Sequence, residues 1–93
     1  MKLFEKYYSF RNREEKINPP KITLHGSHDM AVLKVIPDGT YGVSILYLND
    51  PNKDQEFSAE VSFIGLGGEV PSIYHKFIDY IEINERNYAC FWR

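Results

Sequence analysis

Residues 30–64 decide the fold, and their sequence is MAVLKVIPDGTYGVSILYLNDPNKDQEFSAEVSFI. The pair Asp38-Gly39 separates two apolar runs, the β-branched run 30–36 and the alternating run 41–48. Asp-Gly between two such runs is the strongest short-range signal for a β-hairpin, because both residues tolerate the positive φ angles that a tight turn needs. We therefore predict two antiparallel strands joined at this turn.

The third run, 56–64, follows a polar turn around Pro51 and alternates cleanly between apolar and polar residues. The apolar residues, predicted to face inward, are Phe57, Ala59, Val61 and Phe63. The polar residues, predicted to face water, are Glu56, Ser58, Glu60 and Ser62. A period of two indicates a half-buried strand. Three consecutive strands with short turns predict an antiparallel meander.

On the N-terminal side, the aromatic segment 3–10 favours a strand. The polar segment 11–20 ends in two prolines and predicts a loop, and 21–25 predicts a short strand closed by Gly26.

On the C-terminal side, Pro71 precedes apolar residues at helical spacing, which predicts a short helix over 72–80. Alternation then returns and predicts a last hairpin, 81–84 to 87–92, turned at Glu85-Arg86. The predicted fold class is α+β: an antiparallel β-sheet, a meander of five to six strands, with one short helix near the C-terminus, in a single domain of residues 1–93.

Composition narrows the classes of function. The 93 residues are 43% hydrophobic and 26% charged, as in a folded globular protein. A net charge of -2 disfavours a dedicated nucleic-acid binder. The apolar runs are too short for a membrane helix, and the N-terminal segment has no apolar h-region, so we expect no signal peptide. Cys90 is the single cysteine, which fits a reducing cytoplasm, so we expect a cytoplasmic protein.

Charge is spread unevenly along the chain. Residues 50–85 hold eight acidic side chains and two basic ones. Such an excess predicts either a surface that binds a basic partner or a solvated face that aids solubility. The residues predicted to contact a partner are Asp50, Asp54, Glu56, Glu60, Asp79, Tyr80 and Glu82.

Catalytic and metal motifs are weak. His25, His28 and Asp29 form an H-x-x-H-D pattern that could ligate zinc, but this spacing does not match known short motifs. Cys90 lies in an aromatic, alternating segment and is expected to be a small core residue. We therefore predict no catalytic residue, no metal and no cofactor; the alternative is a small metal- or ligand-binding enzyme domain using His25, His28 and Asp29.

The C-terminal third resembles the immunity proteins of the cloacin and ribonuclease-colicin type. The matching residues are Val70, Pro71, Phe77, Ile81, Glu82, Ile83 and Tyr88. The shared pattern is Val-Pro, a short helix with a Phe, an Ile-acid-Ile strand, and a Tyr-led last strand. The resemblance implies a small, acidic, sheet-rich inhibitor that binds a basic nuclease domain. The matched residues resemble scaffold, so the resemblance transfers no family contact to this sequence.

Physical chemistry supports the same expectation. A nuclease needs a basic surface because it binds the phosphates of nucleic acid. Electrostatic attraction steers an acidic inhibitor toward that surface. We therefore expect a toxin immunity protein that neutralises a basic nuclease toxin domain, without direct contact with nucleic acid or membrane. One alternative is a phage-encoded inhibitor of a nucleic-acid-guided defence nuclease. Another is an accessory subunit whose sheet edge pairs with a partner.

Overall fold

The computed structural model describes residues 1–69 and 76–93, which form a two-layer antiparallel β-sandwich. The elements are β1 (Lys2–Ser9), α1 (Arg13–Ile17), β2 (Ile22–Gly26), β3 (Ala31–Asp38), β4 (Gly42–Asn49), β5 (Phe57–Gly65), β6 (Lys76–Ile83) and β7 (Arg86–Trp92). Sheet A has the strand order β1-β4-β3, and sheet B has the order β2-β5-β7-β6. No helix in the described ranges is long and apolar enough to cross a membrane.

The predicted α+β class is wrong, because the regular structure of the described residues consists of seven strands and a single helical turn. Of the predicted helix 72–80, residues 76–80 lie in β6, and residues 72–75 lie outside the described residues. Phe77 and Tyr80, three residues apart, suggested a helix, but a β-bulge at Ile78 places both on one face of a strand.

The one described helix, α1, lies inside the segment predicted as a loop. It is a single turn of five residues. The Asn12 side chain caps it by accepting a hydrogen bond from the Glu15 N–H at 3.0 Å. Glu15 in turn accepts from the Arg11 N–H at 2.9 Å and from the Tyr8 hydroxyl. These local bonds let a polar segment hold one helical turn against the end of β1.

The hairpin at Asp38-Gly39 is confirmed, but the three-stranded meander is wrong. β3 and β4 pair through a turn in which Gly39 has a φ of 55°. β5 does not pair with β4; it lies in sheet B between β2 and β7. The second edge of β4 is occupied by β1, from Lys2 opposite Asn49 to Ser9 opposite Gly42. The turn after β4 is long enough to cross the roughly 10 Å between two packed sheets.

The predicted last hairpin is confirmed, with its turn one residue earlier than expected. Asn84 and Glu85 have φ angles of 51° and 63°, and Ile83 pairs with Arg86 across them. Two consecutive positive φ angles define a type I′ turn, whose twist matches that of the flanking strands. β6 extends back to Lys76, so this hairpin is longer than the sequence predicts.

The core lies between the two sheets and draws on both. Val43 and Ile45 of sheet A are fully buried against Val61, Ile83 and Cys90 of sheet B. The edge strands β3 and β6 lie beside each other and close one side of the sandwich. This burial is the main stabilising contribution, because each large aliphatic side chain removed from water contributes about 1.5–3 kcal/mol.

The alternation predicted for β5 holds only at its centre. Ala59 and Val61 are buried as predicted, and Phe63 packs against the core. Phe57, predicted inward, is 57% exposed because it begins the strand at the open end of the sandwich. Ser62, predicted to face water, is buried beside Phe91 in the middle of sheet B.

Candidate partner-binding surface

The outer face of sheet B carries exposed aromatic side chains. Phe77 on β6 is opposite Phe91 on β7, and the two rings meet edge to face at 5.7 Å. Tyr80 is opposite Ala89 in the next outward-facing row. Phe77 is 62% exposed and Tyr80 is 55% exposed. We call Phe77, Tyr80, Ala89 and Phe91, with the neighbouring Ile64 of β5, the aromatic face. Ser62, opposite Phe91 on β5, is buried.

The bulge at Ile78 creates this face. Ile81 and Ile83 point into the core, so regular alternation would also turn Phe77 inward. The register shift between Phe77 and Asp79 changes the face to which the residues before the bulge point. Phe77 therefore points outward, beside Tyr80. Two aromatic rings are therefore held in water by the backbone of a paired strand. Exposed apolar side chains grouped on a rigid element indicate a binding surface.

Carboxylates flank the aromatic face at its two ends. Glu82 lies opposite Asn87, one outward position beyond Tyr80. Glu60 lies at the other end, where its backbone pairs with Arg93 through N–H to carbonyl hydrogen bonds of 3.1 and 3.2 Å. Asn87 and Arg93 are six residue steps apart along an extended chain, which is about 20 Å at 3.3 Å per residue. The predicted residues Glu60 and Glu82 thus share a face without forming one cluster.

Asp79 is separate from this face. It lies opposite Cys90, and its carboxylate forms an ion pair with Lys34 of β3 at 3.2 Å. Lys34 also follows a bulge, at Leu33, so the two edge strands carry irregularities at the same place. Asp79, predicted to contact a partner, thus lies where the edge strands of the two sheets meet, and its charge is already paired with that of Lys34.

The remaining predicted acidic residues, Asp50, Asp54 and Glu56, lie in the turn between β4 and β5. Asp54 and Glu56 are exposed, whereas Asp50 is half-buried and accepts from the Asn52 N–H at 3.0 Å. Asp50 and its neighbours are tied to the β2–β3 turn. The turn between β4 and β5 lies at the same end of sheet B as Glu60, because β5 begins at that end.

A buried polar network joins these two turns. The Ser27 N–H donates to the Asn49 side chain at 2.8 Å, and the Asn49 amide donates to Gln55 at 2.7 Å. The Ser27 hydroxyl donates to Asp29, whose second oxygen accepts from Lys53 at 2.7 Å. The Lys53 ammonium and the Ser27 hydroxyl lower the pKa of Asp29 to about 2.

The residues His25, His28 and Asp29 do not converge on a common point. Both oxygens of Asp29 have the partners just described. His25 Nδ1 is 3.1 Å from the Ser58 hydroxyl, and the His28 ring lies 6.4 Å from the ring of Phe57. Across residues 1–69 and 76–93, no three His, Cys, Asp or Glu side chains are grouped so as to hold a metal ion.

Cys90 is fully buried in the core, in agreement with its predicted place. Burial, followed by the charge of Asp79, raises the pKa of its thiol to about 12. Nucleophilic cysteines act as thiolates, so this environment opposes a catalytic role.

A cleft of about 430 Å³ opens beside Tyr88. Its apolar lining includes Ile17, Pro19, Phe63 and Leu66, and Arg86 stands at its edge. The Tyr88 hydroxyl donates to the Ile17 carbonyl, so it is already occupied. The described lining therefore offers shape, the carboxylate of Glu85 and the cation of Arg86, while its phenol is held by a backbone carbonyl.

Sequence reasoning identified Tyr80 and missed Phe77 and Phe91. Phe91 could have been found, because it follows Cys90 in an alternating segment and Cys90 was expected in the core. Phe77 was hidden by its helical spacing, since a bulge leaves no clear residue signature.

No protein-family model matches the chain, and comparison with curated proteins and with solved structures yields no match either. Function is therefore inferred from the surface chemistry of the chain itself.

Proposed function

We propose that this chain is a toxin immunity protein, which binds a basic nuclease toxin domain through the aromatic face of sheet B in the cytoplasm. The observation that carries the proposal is the exposure of Phe77 and Tyr80 on a strand-held surface with Glu60 and Glu82 at its ends. Stable interfaces combine a central aromatic cluster with a polar rim, and aromatic residues supply most of their binding energy.

The charge distribution supports a basic partner. Glu60 and Glu82 lie at the rim, and the turn that carries Asp54 and Glu56 extends the negative charge at one end. A domain that cleaves nucleic acid presents cationic side chains to hold phosphates. Opposite charges accelerate the encounter, which an inhibitor of a toxin requires inside the cell that makes it.

The proposal rests on this surface and no longer on the sequence resemblance. The resemblance implied a short helix containing Phe77, whereas Phe77 lies in β6. Val70 and Pro71, which also carry the resemblance, lie outside the described residues. Asp79 is removed from the proposed contact set because Lys34 pairs with it.

Binding kinetics test the proposal. The chain is immobilised and exposed to a panel of purified, catalytically inactivated nuclease-toxin domains, including any encoded beside its own gene. Tyr80→Ala and Phe77→Ala should raise the dissociation rate by roughly tenfold each, because they remove central anchors. Glu60→Lys and Glu82→Lys should slow association at low salt and have less effect at high salt.

Matched variants elsewhere provide the controls. Tyr41 is 69% exposed and lies outside sheet B, so Tyr41→Ala should leave both rates unchanged. Glu14→Lys on α1 makes the same charge change as Glu82→Lys away from the aromatic face. Circular dichroism first shows that every variant is folded. Absence of binding to the whole panel, or binding that the sheet B variants leave unchanged, rejects the proposal.

The alternative partner is tested in the same assay. A nucleic-acid-guided defence nuclease is added to the panel, with and without its bound guide. Selective binding to that nuclease would show that the partner is the defence nuclease and not a toxin domain.

A further inference from the structure

Sheet A presents a second open surface, on the opposite side of the sandwich. Alternation along β4 buries Val43 and Ile45 and turns Leu46 and Leu48 outward. Leu3 on β1 is 62% exposed. Apolar side chains from neighbouring strands therefore share one solvent-facing sheet surface, which we call the sheet A face.

The strand registers arrange this face in three rows. The first row is Leu3, Leu48 and Ala31; the second is Glu5, Leu46 and Lys34; the third is Tyr7, Ser44 and Ile36. The outer rows are mostly apolar. The middle row places an acid on β1 and a base on β3, with a leucine between them.

We infer that a second copy of this chain packs against the sheet A face, with a two-fold axis parallel to β4. Rotation about that axis places β1 of one copy over β3 of the other. Glu5 then faces Lys34 of the second copy, and the same pair forms again by symmetry. Leu46 and Leu48 each meet their own counterparts in the centre.

The charges select this axis over the other face-to-face arrangement. A two-fold axis perpendicular to β4 keeps β1 over β1, so Glu5 would face Glu5 and Lys34 would face Lys34. Like charges brought together at an interface are unfavourable. The parallel axis also keeps the strands of the two sheets nearly aligned, which is a common geometry for stacked sheets.

The ion pair between Lys34 and Asp79 is compatible with this contact. The distance between the Lys34 ammonium and the Asp79 carboxylate is 3.2 Å, and the Lys34 side chain is still 57% exposed. An ammonium group has three donors, so it can hold a second carboxylate. Glu5 of the second copy would join an existing pair.

The size of the face sets the expected affinity. Three strands of eight residues span roughly 15 Å by 26 Å, or about 400 Å² of planar area per copy. The total of about 800 Å² is smaller than the roughly 1,200–2,000 Å² of stable specific interfaces and fits a weak, transient contact. We therefore expect a reversible dimer that dissociates in the micromolar range or above.

Sedimentation equilibrium of the purified chain over a wide concentration range tests the inference. We expect dimerisation that weakens at high salt, because two intermolecular ion pairs are screened. Leu3→Glu should raise the dimer dissociation constant at least tenfold. Leu66→Glu is the matched control, since Leu66 is 81% exposed and lies in the turn after β5.

A charge exchange tests the axis. Glu5→Lys alone should dissociate the dimer, because the substituted lysine would face Lys34 of the second copy. Lys34→Glu, made together with Asp79→Asn so that the new carboxylate does not face the charge of Asp79, should do the same. Mixing the two variants should restore association to within a few-fold of the unmodified chain, because only opposite charges then face each other.

The outcomes separate this inference from the proposed function. A chain that stays monomeric at low salt and high concentration overturns the dimer, and so does a dimer that Leu3→Glu leaves intact. A mixture that fails to associate, from folded variants, overturns the parallel axis. None of these variants replaces a side chain of the aromatic face of sheet B, and an amide oxygen at position 79 can still accept from the Tyr80 N–H. Toxin binding is therefore expected to persist in all of them.

Discussion

The phenol of Tyr7 on β1 crosses the whole of β4 and donates a hydrogen bond to Asp38 on β3, with a distance of 3.0 Å. The crossing is possible because Gly42 lies beneath the ring and has no side chain. Desolvation, the hydrogen bond to Asp38 and the negative charge of Asp38 raise the pKa of Tyr7. One polar contact thus links all three strands of sheet A at the end next to the hairpin turn.

Gly42→Ala should be strongly destabilising. A Cβ at this position would overlap the backbone carbonyl of Tyr8 and lie 2.8 Å from the Tyr7 hydroxyl. A backbone atom of a paired strand cannot move aside cheaply, so we expect a loss of about 3 kcal/mol in the free energy of unfolding. Urea denaturation measures it.

Gly65→Ala is the control for that substitution. Its Cβ would meet only ring carbons of Tyr88 at ordinary contact distances of 3.7 and 3.8 Å. It should therefore change stability by less than about 1 kcal/mol. Equal losses in the two variants would contradict the steric explanation.

The ion pair of Asp29 should make stability depend on pH in the acid range. The pKa of Asp29 is lowered to about 2 in the fold by Lys53 and Ser27, against about 3.9 in an unfolded chain. The fold therefore favours the deprotonated carboxylate. That contribution is complete above about pH 4 and is lost as the pH falls toward 2.

Asp29→Asn should remove this component, so its unfolding free energy should fall less steeply between pH 4 and 2 than that of the unmodified chain. Thermal unfolding at a series of pH values measures both slopes. Asp54→Asn, an exposed aspartate in the turn after β4, should keep the original slope. A variant at Asp29 with an unchanged slope would exclude the ion pair as its cause.

Two buried serines should respond to alanine in opposite ways. The Ser27 hydroxyl donates to Asp29 and accepts from the Asp50 N–H, so Ser27→Ala should cost about 2 kcal/mol. The Ser62 hydroxyl has no hydrogen-bond partner among the described residues. Ser62→Ala should therefore raise stability, by about 1 kcal/mol.

Chemical denaturation of both serine variants under one condition makes the comparison. Far-ultraviolet circular dichroism before denaturation controls for an altered fold. A substantial loss of stability in Ser62→Ala would show that its hydroxyl is satisfied after all.

Cys90 should report global unfolding through its reactivity. The thiol is fully buried, and its pKa of about 12 leaves roughly one molecule in ten thousand as thiolate at pH 8. Labelling with a disulfide reagent should proceed only as fast as the protein unfolds. Full labelling within the mixing time, without denaturant, would place Cys90 outside the core; the same sample in urea provides the reference for complete reaction.

The sequence predicted individual strands better than their partners. The turn at Asp38-Gly39 and the alternation around Val61 are local signals, and the structure confirms both. The pairing of Lys2 with Asn49 joins residues far apart in the chain, and no local pattern encodes it. The meander prediction failed at this point, because β1 took the edge of β4 that β5 was expected to occupy.

The candidate site was only partly predictable for a related reason. Tyr80 and Glu82 were chosen for their chemistry, and both lie on the outer surface of β6. Asp79 was chosen by the same criterion but points to Lys34, because side-chain direction depends on the phase of the strand. A single bulged residue, Ile78, sets that phase, and a bulge is a tertiary outcome of pairing with β7.

The place of β7 in sheet B constrains how the chain is made. β7 is synthesised after the other described strands, yet it lies between β5 and β6 and completes the row from Ser62 through Phe91 to Phe77. During translation β6 has no neighbour in its sheet until β7 emerges, and the Tyr88 bond to Ile17 must close across most of the chain. Long-range closure of this kind slows folding. A chain that stops before β7 therefore keeps Phe77 and Tyr80 but lacks the strand that joins β6 to the rest of sheet B, so the aromatic face is not assembled.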